Sequence, residues 1–290
     1  NRVPEVPPAS SAEHRQVFIC SAVFDGMSEP DLTVPGNSAA VTAAGSGIGR
    51  QIAAHLVDAG VNVAVNDVDA DALDATADAL AGGPGELRTV AGDASDPTDM
   101  DAFVHQAVDA FDGLDILVNN VGVAGPTKPC EEILPEEFMN TLAVNVGGAF
   151  NTARAAIPHL REGNGGRIVN ISSMSGKRPL QDRTPYTSSK MAIVGFTRTL
   201  AVELAEDNIT VNAVCPGSVE GPRLRRVIEG QAESQDRSLE DVEQEFRAVS
   251  PMDTFVQASD VADTVLFLCS ERAERMTGQD LNVTAGIVMY

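Results

Sequence analysis

The chain has 290 residues, 43% of them apolar, which is enough for the core of one large domain or two small ones. Its 42 acidic residues against 20 basic ones leave a formal charge of −22, a field that repels phosphate backbones and argues against nucleic-acid binding as a main role. The four cysteines form no C-x-x-C pair, and no apolar run approaches the eighteen or so residues of a membrane span, which argues against a zinc module, a secreted disulfide framework and a transmembrane protein.

In chain order, residues 1–30 come first and hold Pro4, Pro7, Pro8 and Pro30 without sustained periodicity; they are expected to form a loose tail ahead of one domain over 31–290. Met27 reads as a natural translation start. The apolar stretch 17–24 lacks a small-residue cleavage site, so the protein is expected in the cytoplasm. From residue 38, short β-rich runs alternate with helical stretches. Strands are expected at 38–42, 61–66, 87–91, 114–119, 167–172, 210–214 and 281–284. Helices are expected near 48–59, 69–81, 98–111, 135–161, 186–206 and 259–271, where apolar residues recur at spacings of three and four. This alternation implies right-handed crossovers, hence an α/β fold with a seven-stranded parallel sheet covered by helices on both faces. Residues 218–250 break the pattern. They are long, charged and marked by Pro222 and Pro251, and an insertion there is where such folds place a substrate lid. Arg223, Arg225 and Arg226 near its start face either an anionic or polyhydroxylated substrate or plain solvent.

The first strand runs into Thr42-Ala43-Ala44-Gly45-Ser46-Gly47-Ile48-Gly49 and then a helix. Glycines let the backbone approach a pyrophosphate there, and the free N–H groups of the helix N-terminus stabilise its charge. Asp67 stands eighteen residues past Gly49, at the end of the second strand. A carboxylate there accepts the ribose hydroxyls of an adenosine and repels a 2′-phosphate, and no arginine or lysine adjoins Gly45 or Ser46 in sequence, so NAD is expected over NADP. Asp93 and Ala94, after the third strand, are candidates to meet the adenine amine.

Tyr186 and Lys190 lie four residues apart behind Thr184 and Pro185, which cap and open a helix and so put both on one face. With three lysines in the chain, such a pair arises by chance about 1% of the time. A phenol titrates near ~10, and an adjacent cation favours the phenolate; Lys190 is that cation. The strand before them delivers Ser172 and Ser173 at its carboxyl end, where α/β sheets bind ligands. Asn145, in an apolar helix, is either a satisfied core amide or a water-holding group. His14, His55, His105 and His159 are scattered, with no pairing to suggest a metal.

Together, Thr42–Gly49, Asp67, Asn119-Asn120-Val121-Gly122, Asn145, Ser173, Tyr186-x-x-x-Lys190 and Pro216-Gly217 resemble the short-chain dehydrogenase/reductase family over about residues 34–286. The resemblance implies a Rossmann-type fold and a small-molecule alcohol or carbonyl substrate. It selects Ser173 over Ser172 through its spacing of thirteen residues before the tyrosine, gives Asn145 a water linking Lys190 to solvent, and adds Asn120, Gly122, Pro216, Gly217 and Val219 to the cofactor site. It further implies a homotetramer built on the helices near 135–161 and 186–206 and the strand near 281–284. Three positions depart from the family pattern: Ala43 for the first glycine, Val121 for an alanine, and Gly221 for a threonine that contacts the nicotinamide carboxamide.

The expected activity is NAD-dependent interconversion of a secondary alcohol and a carbonyl, with a sugar, polyol or hydroxy acid as substrate. The alternatives are an NADPH-dependent 3-oxoacyl reductase and a non-catalytic cofactor-sensing regulator. Only Lys128, Lys177 and Lys190 are lysines, and an acidic, lysine-poor composition reads as adaptation to high salt.

Overall fold

The computed structural model describes residues 32–163, 165–234 and 236–290; the tail expected at 1–30, with Met27, lies outside them. Seven strands alternate with helices in the order β1 (Ser38–Val41), α1 (Gly47–Asp58), β2 (Asn62–Asp67), α2 (Ala70–Leu80), β3 (Leu87–Ala91), α3 (Pro97–Phe111), β4 (Ile116–Asn119), α4 (Pro135–Leu142), α5 (Gly148–Glu162), β5 (Gly166–Ile171), α6 (Thr184–Glu203), β6 (Ile209–Pro216), α7 (Pro222–Ser234), α8 (Leu239–Ala248), α9 (Ala258–Cys269) and β7 (Asp280–Val283). The strands form one sheet in the order β3-β2-β1-β4-β5-β6-β7, and every pairing is parallel. Chain order reverses between β1 and β4, and open α/β sheets bind ligands in the crevice beyond the carboxyl ends of the strands at such a switch point.

Alternation along the buried strands builds a core on each face. Ala39 and Val41 pack with Ile52 and Leu56 of α1 and Val265 and Leu268 of α9. Ala40 points the other way, toward Phe103 of α3, Leu160 of α5 and Leu200 of α6. Each such fully buried large side chain contributes roughly 1.5–3 kcal/mol. The doubly wound Rossmann-type sheet covered on both faces is therefore as expected.

One expectation about elements is corrected. The single helix expected over 135–161 is split by a π-helical turn, Ala143–Gly147. Asn145 in that turn binds Val123 through both side-chain atoms, and Gly147 and Gly148 lend little helix propensity, so the hydrogen-bond ladder slips there. The segment 218–250 is mostly helical. Its helices α7 and α8 enclose a small core of Ile228, Ala232, Val242 and Phe255.

Candidate active site

The turn after β1 is braced from below. Thr42 is fully buried, and its Oγ1 accepts the N–H groups of Asn120 (3.0 Å) and Val121 (3.3 Å). Asn120 returns its side-chain amide to the carbonyls of Thr42 (3.2 Å) and Ala43 (2.9 Å), so it anchors the turn. Gly47 has φ +55°, and a β-carbon at Gly49 would collide with the Ala43 carbonyl and the Asn120 amide. Ser46 takes the N-cap position without a side-chain bond, and the first turn of α1 holds no acidic residue to oppose an anion. This turn fits a pyrophosphate.

Asp67 ends β2 beside that turn, with Oδ2 accepting the Gly45 N–H at 2.9 Å and Oδ1 the Asp69 N–H at 3.2 Å. No arginine or lysine adjoins Gly45 in sequence, but one does in space. One helical turn on, Arg50 folds back to donate to the Gly45 carbonyl, with Nε on Thr76 Oγ1 at 2.8 Å and Nη2 3.4 Å from the Ala72 carbonyl. Asp93 Oδ1 accepts both the N–H and the hydroxyl of Ser95 at 2.8 Å, and buried Ala94 offers its carbonyl to Asn151. Across the crevice, the Gly217 N–H donates to the Val283 carbonyl at 2.8 Å, Val219 bridges to Val256, and Pro216 closes buried β6.

At the end of β5 the two serines separate. Ser172 donates its hydroxyl to the Lys190 carbonyl at 2.8 Å and so ties β5 to α6. Ser173 caps the short turn Met174–Gly176, its Oγ accepting the Ser175 N–H at 3.1 Å. Lys190 is only 4% exposed; its ammonium donates to the Ile171 carbonyl at 2.9 Å and lies 5.9 Å from the centre of the Tyr186 ring. Gly122 passes so close that a β-carbon there would stand 3.1 Å from Lys190 Nζ. Asn145 donates to Ser189 Oγ (2.9 Å) and to the Val123 carbonyl (3.1 Å) and accepts the Val123 N–H (2.7 Å). Of its two readings, these bonds favour the satisfied core amide. Ser189 in turn donates to the Tyr186 carbonyl at 2.7 Å, linking the π-helical turn to the first turn of α6.

Three features of this region were missed in the sequence. The guanidinium of Arg183 stacks 4.8 Å from the centre of the Tyr186 ring and donates to Thr127 Oγ1 at 2.8 Å. Lys177 pairs with Asp280 at 2.7 Å, and Arg198 takes the other carboxylate oxygen at 2.7 Å, joining the serine loop and α6 to β7. Beneath them burial pushes the Cys215 thiol above its ordinary value, against the pull of the Lys177 charge. His105 and His159 do meet, edge to face at 5.6 Å. Among the described residues no group of three or more His, Cys, Asp or Glu side chains could hold a metal ion, and no helix is long and apolar enough to cross a membrane.

A family model described as "Enoyl-(Acyl carrier protein) reductase" matches residues 42–288. D-beta-hydroxybutyrate dehydrogenase of Rhizobium meliloti (strain 1021) is 34% identical over 252 residues, covering 86% of this chain and 97% of the relative. The NAD+-bound structure of xylitol dehydrogenase superposes with a TM-score of 0.82 at 30% identity, covering 87% of this chain and 99% of that one. A variant of actinorhodin polyketide ketoreductase with NADPH superposes with a TM-score of 0.82 at 36% identity, covering 88% and 98%.

Proposed function

The chain belongs to the short-chain dehydrogenase/reductase family of oxidoreductases, and on that premise we propose that it is an NAD-dependent enzyme that interconverts a secondary alcohol and a carbonyl. The observation that carries this reading is the buried Lys190, whose ammonium sits on the Ile171 carbonyl at the end of β5, two residues before Ser173, and 5.9 Å from the centre of the Tyr186 ring.

Gly45, Ser46, Gly47, Ile48 and Gly49 would cradle the pyrophosphate, Asp67 the adenosine ribose, and Asp93 and Ala94 the adenine. Asn120, Gly122, Pro216, Gly217 and Val219 would line the path to the nicotinamide, with Tyr186 and Lys190 at its ribose. A bound nicotinamide supplies the hydride acceptor or donor. Tyr186 takes the hydroxyl proton in oxidation and returns it in reduction. Lys190, close to the ring and withdrawn from solvent, favours the phenolate. Ser173 hydrogen-bonds the substrate oxygen and stabilises developing charge. Asn145, through Ser189 and the Tyr186 carbonyl, positions the tyrosine turn.

Asp67 supports NAD, because a 2′-phosphate would meet its carboxylate. The second reading, an NADPH-dependent 3-oxoacyl reductase, draws on the ketoreductase likeness and on Arg50 beside Gly45. Steady-state kinetics separate the two. The expected result is a kcat/KM with NAD orders of magnitude above that with NADP and a narrower gap in Asp67→Ser, whereas equal use of both cofactors by the native protein overturns the NAD reading. We further take α7 and α8 as the substrate lid, the tetramer as the working form and the cytoplasm as its place.

A further inference from the structure

The Ser173 hydroxyl takes its place from a very short element. Its Oγ accepts the Ser175 N–H at 3.1 Å, inside the single turn Met174–Gly176, so the hydroxyl goes wherever that turn goes. On the near side the turn is fixed by β5 and by Gly176, where an added β-carbon would stand 2.9 Å from the Lys190 carbonyl. On the far side the chain leaves through Arg178, Pro179, Leu180 and Gln181, all exposed, which give the turn little to pack against. An isolated turn with few buried contacts has little stability of its own.

Lys177 stands between the turn and that exposed stretch. Its N–H closes the turn on the Met174 carbonyl at 2.9 Å, and its side chain crosses to the first residue of β7. There Nζ donates to the carboxylate and to the main-chain carbonyl of Asp280, each at 2.7 Å. Asp280 is in turn set by the sheet, opposite Ala213 of β6, and its other carboxylate oxygen takes Arg198 of α6 at 2.7 Å. An exposed ion pair would fix little, because water and salt screen it. The Lys177 and Asp280 side chains are only 10% and 16% exposed, so this one is withdrawn from that screening.

We propose that Lys177 is a positioning residue for the reaction: by tying the far end of the turn to β7, it holds the Ser173 hydroxyl on the substrate oxygen. This rests on the oxidoreductase reading and deepens it at the serine. Lys177 acts through Ser173 alone. Without the tie, Ser173, Tyr186 and Lys190 remain chemically intact, but the serine is free to shift, and a misplacement of about 1 Å costs up to about 10²-fold in rate.

The test asks whether the loss passes through the serine, using secondary alcohols that include 3-hydroxybutanoate, lactate and xylitol. Lys177→Met keeps an apolar stem and removes the ammonium. Its kcat should fall about 10–100-fold while NADH affinity, read by fluorescence, stays within about twofold. In a Ser173→Ala background the same substitution should cost no more than about twofold, because no hydroxyl is left to misplace. A native kcat in Lys177→Met, an NADH affinity that falls as far as kcat, or an equal loss with and without Ser173 overturns the proposal. Should Lys177→Met not fold, Asp280→Asn, which keeps the side-chain shape and removes the charge, goes through the same comparison and is read the same way. If the native protein oxidises no alcohol, the oxidoreductase reading fails by itself, and the tie is judged by hydrogen exchange over residues 172–180. Faster exchange in Lys177→Met supports the tie; unchanged exchange overturns it.

Discussion

The proton that Tyr186 is proposed to move sits on a phenol with two cations near its ring, Arg183 at 4.8 Å and Lys190 at 5.9 Å from the ring centre. Tyr186→Phe keeps the ring and these contacts and removes only the proton. Turnover should fall by about 10²–10⁴-fold with dinucleotide binding retained, as read by single-turnover kinetics and NADH fluorescence; a variant with most of its activity left would remove Tyr186 from the chemistry. Ala43 poses a different question at the same scale. It holds φ +51° at the start of the glycine turn after β1, a left-handed conformation that costs a β-carbon about 1–2 kcal/mol. Glycine relieves that strain but loses more chain entropy on folding. Ala43→Gly should therefore stabilise the protein by a net of about 0.5–1 kcal/mol, visible as a higher urea midpoint at unchanged slope.

At the scale of elements, the entry to α4 is a polar latch. Glu137 accepts from Lys128 Nζ at 3.0 Å and from the Leu134 N–H at 2.8 Å, and these bonds, the lysine first, hold its carboxyl below the ordinary 4.5. A carboxyl lowered by folding adds stability above its unfolded value and loses it as pH falls through the folded one. Glu137→Gln should thus be less stable than the native protein at pH 7, with the gap closing as pH drops below 4.5; a gap constant with pH in urea titrations would show that the latch does not act through charge. The π-helical turn belongs to this scale too. It places Asn145 where it can hold Val123 and Ser189, coupling the loop after β4 to the first turn of α6.

For the whole molecule, charge and surface act together. A net charge of −22 stores self-repulsion, and at 0.1 M salt the Debye length of about 10 Å leaves neighbouring carboxylates interacting, whereas at 1 M it shrinks to about 3 Å. Leu134, Met139, Phe150, Met191 and Val202 are exposed on and beside α4, α5 and α6, the helices proposed to pack against their copies. Melting temperature and activity should rise together from 0.1 M to beyond 1 M KCl, and light scattering should show a tetramer that loosens at the low end. Full activity and unchanged melting at 0.1 M would make the acidic composition incidental. A monomer at micromolar concentration in high salt would remove the proposed interfaces.

The sequence by itself determined what depends on local pattern. The short β-rich runs alternating with helical stretches, whose apolar residues recur at three and four, foretold the parallel sheet, because strands joined through helices pair by right-handed crossovers. The glycine turn, Asp67 and the Tyr186–Lys190 spacing could be proposed as site residues from neighbours in the chain, whereas Ser173 was preferred to Ser172 only through the family resemblance. Only the tertiary structure decided what depends on groups far apart in the chain. Arg183 became notable only once Thr127 and Tyr186 were beside it, and Lys177 once Asp280, 103 residues on, closed over it. The break in the 135–161 helix escaped the pattern because its apolar spacing runs on unbroken, while the cause, Asn145 reaching back 22 residues to Val123, is a tertiary contact. Arg50 escaped because one turn of helix carries its side chain back to Gly45, a proximity in space that a scan of adjacent residues does not see.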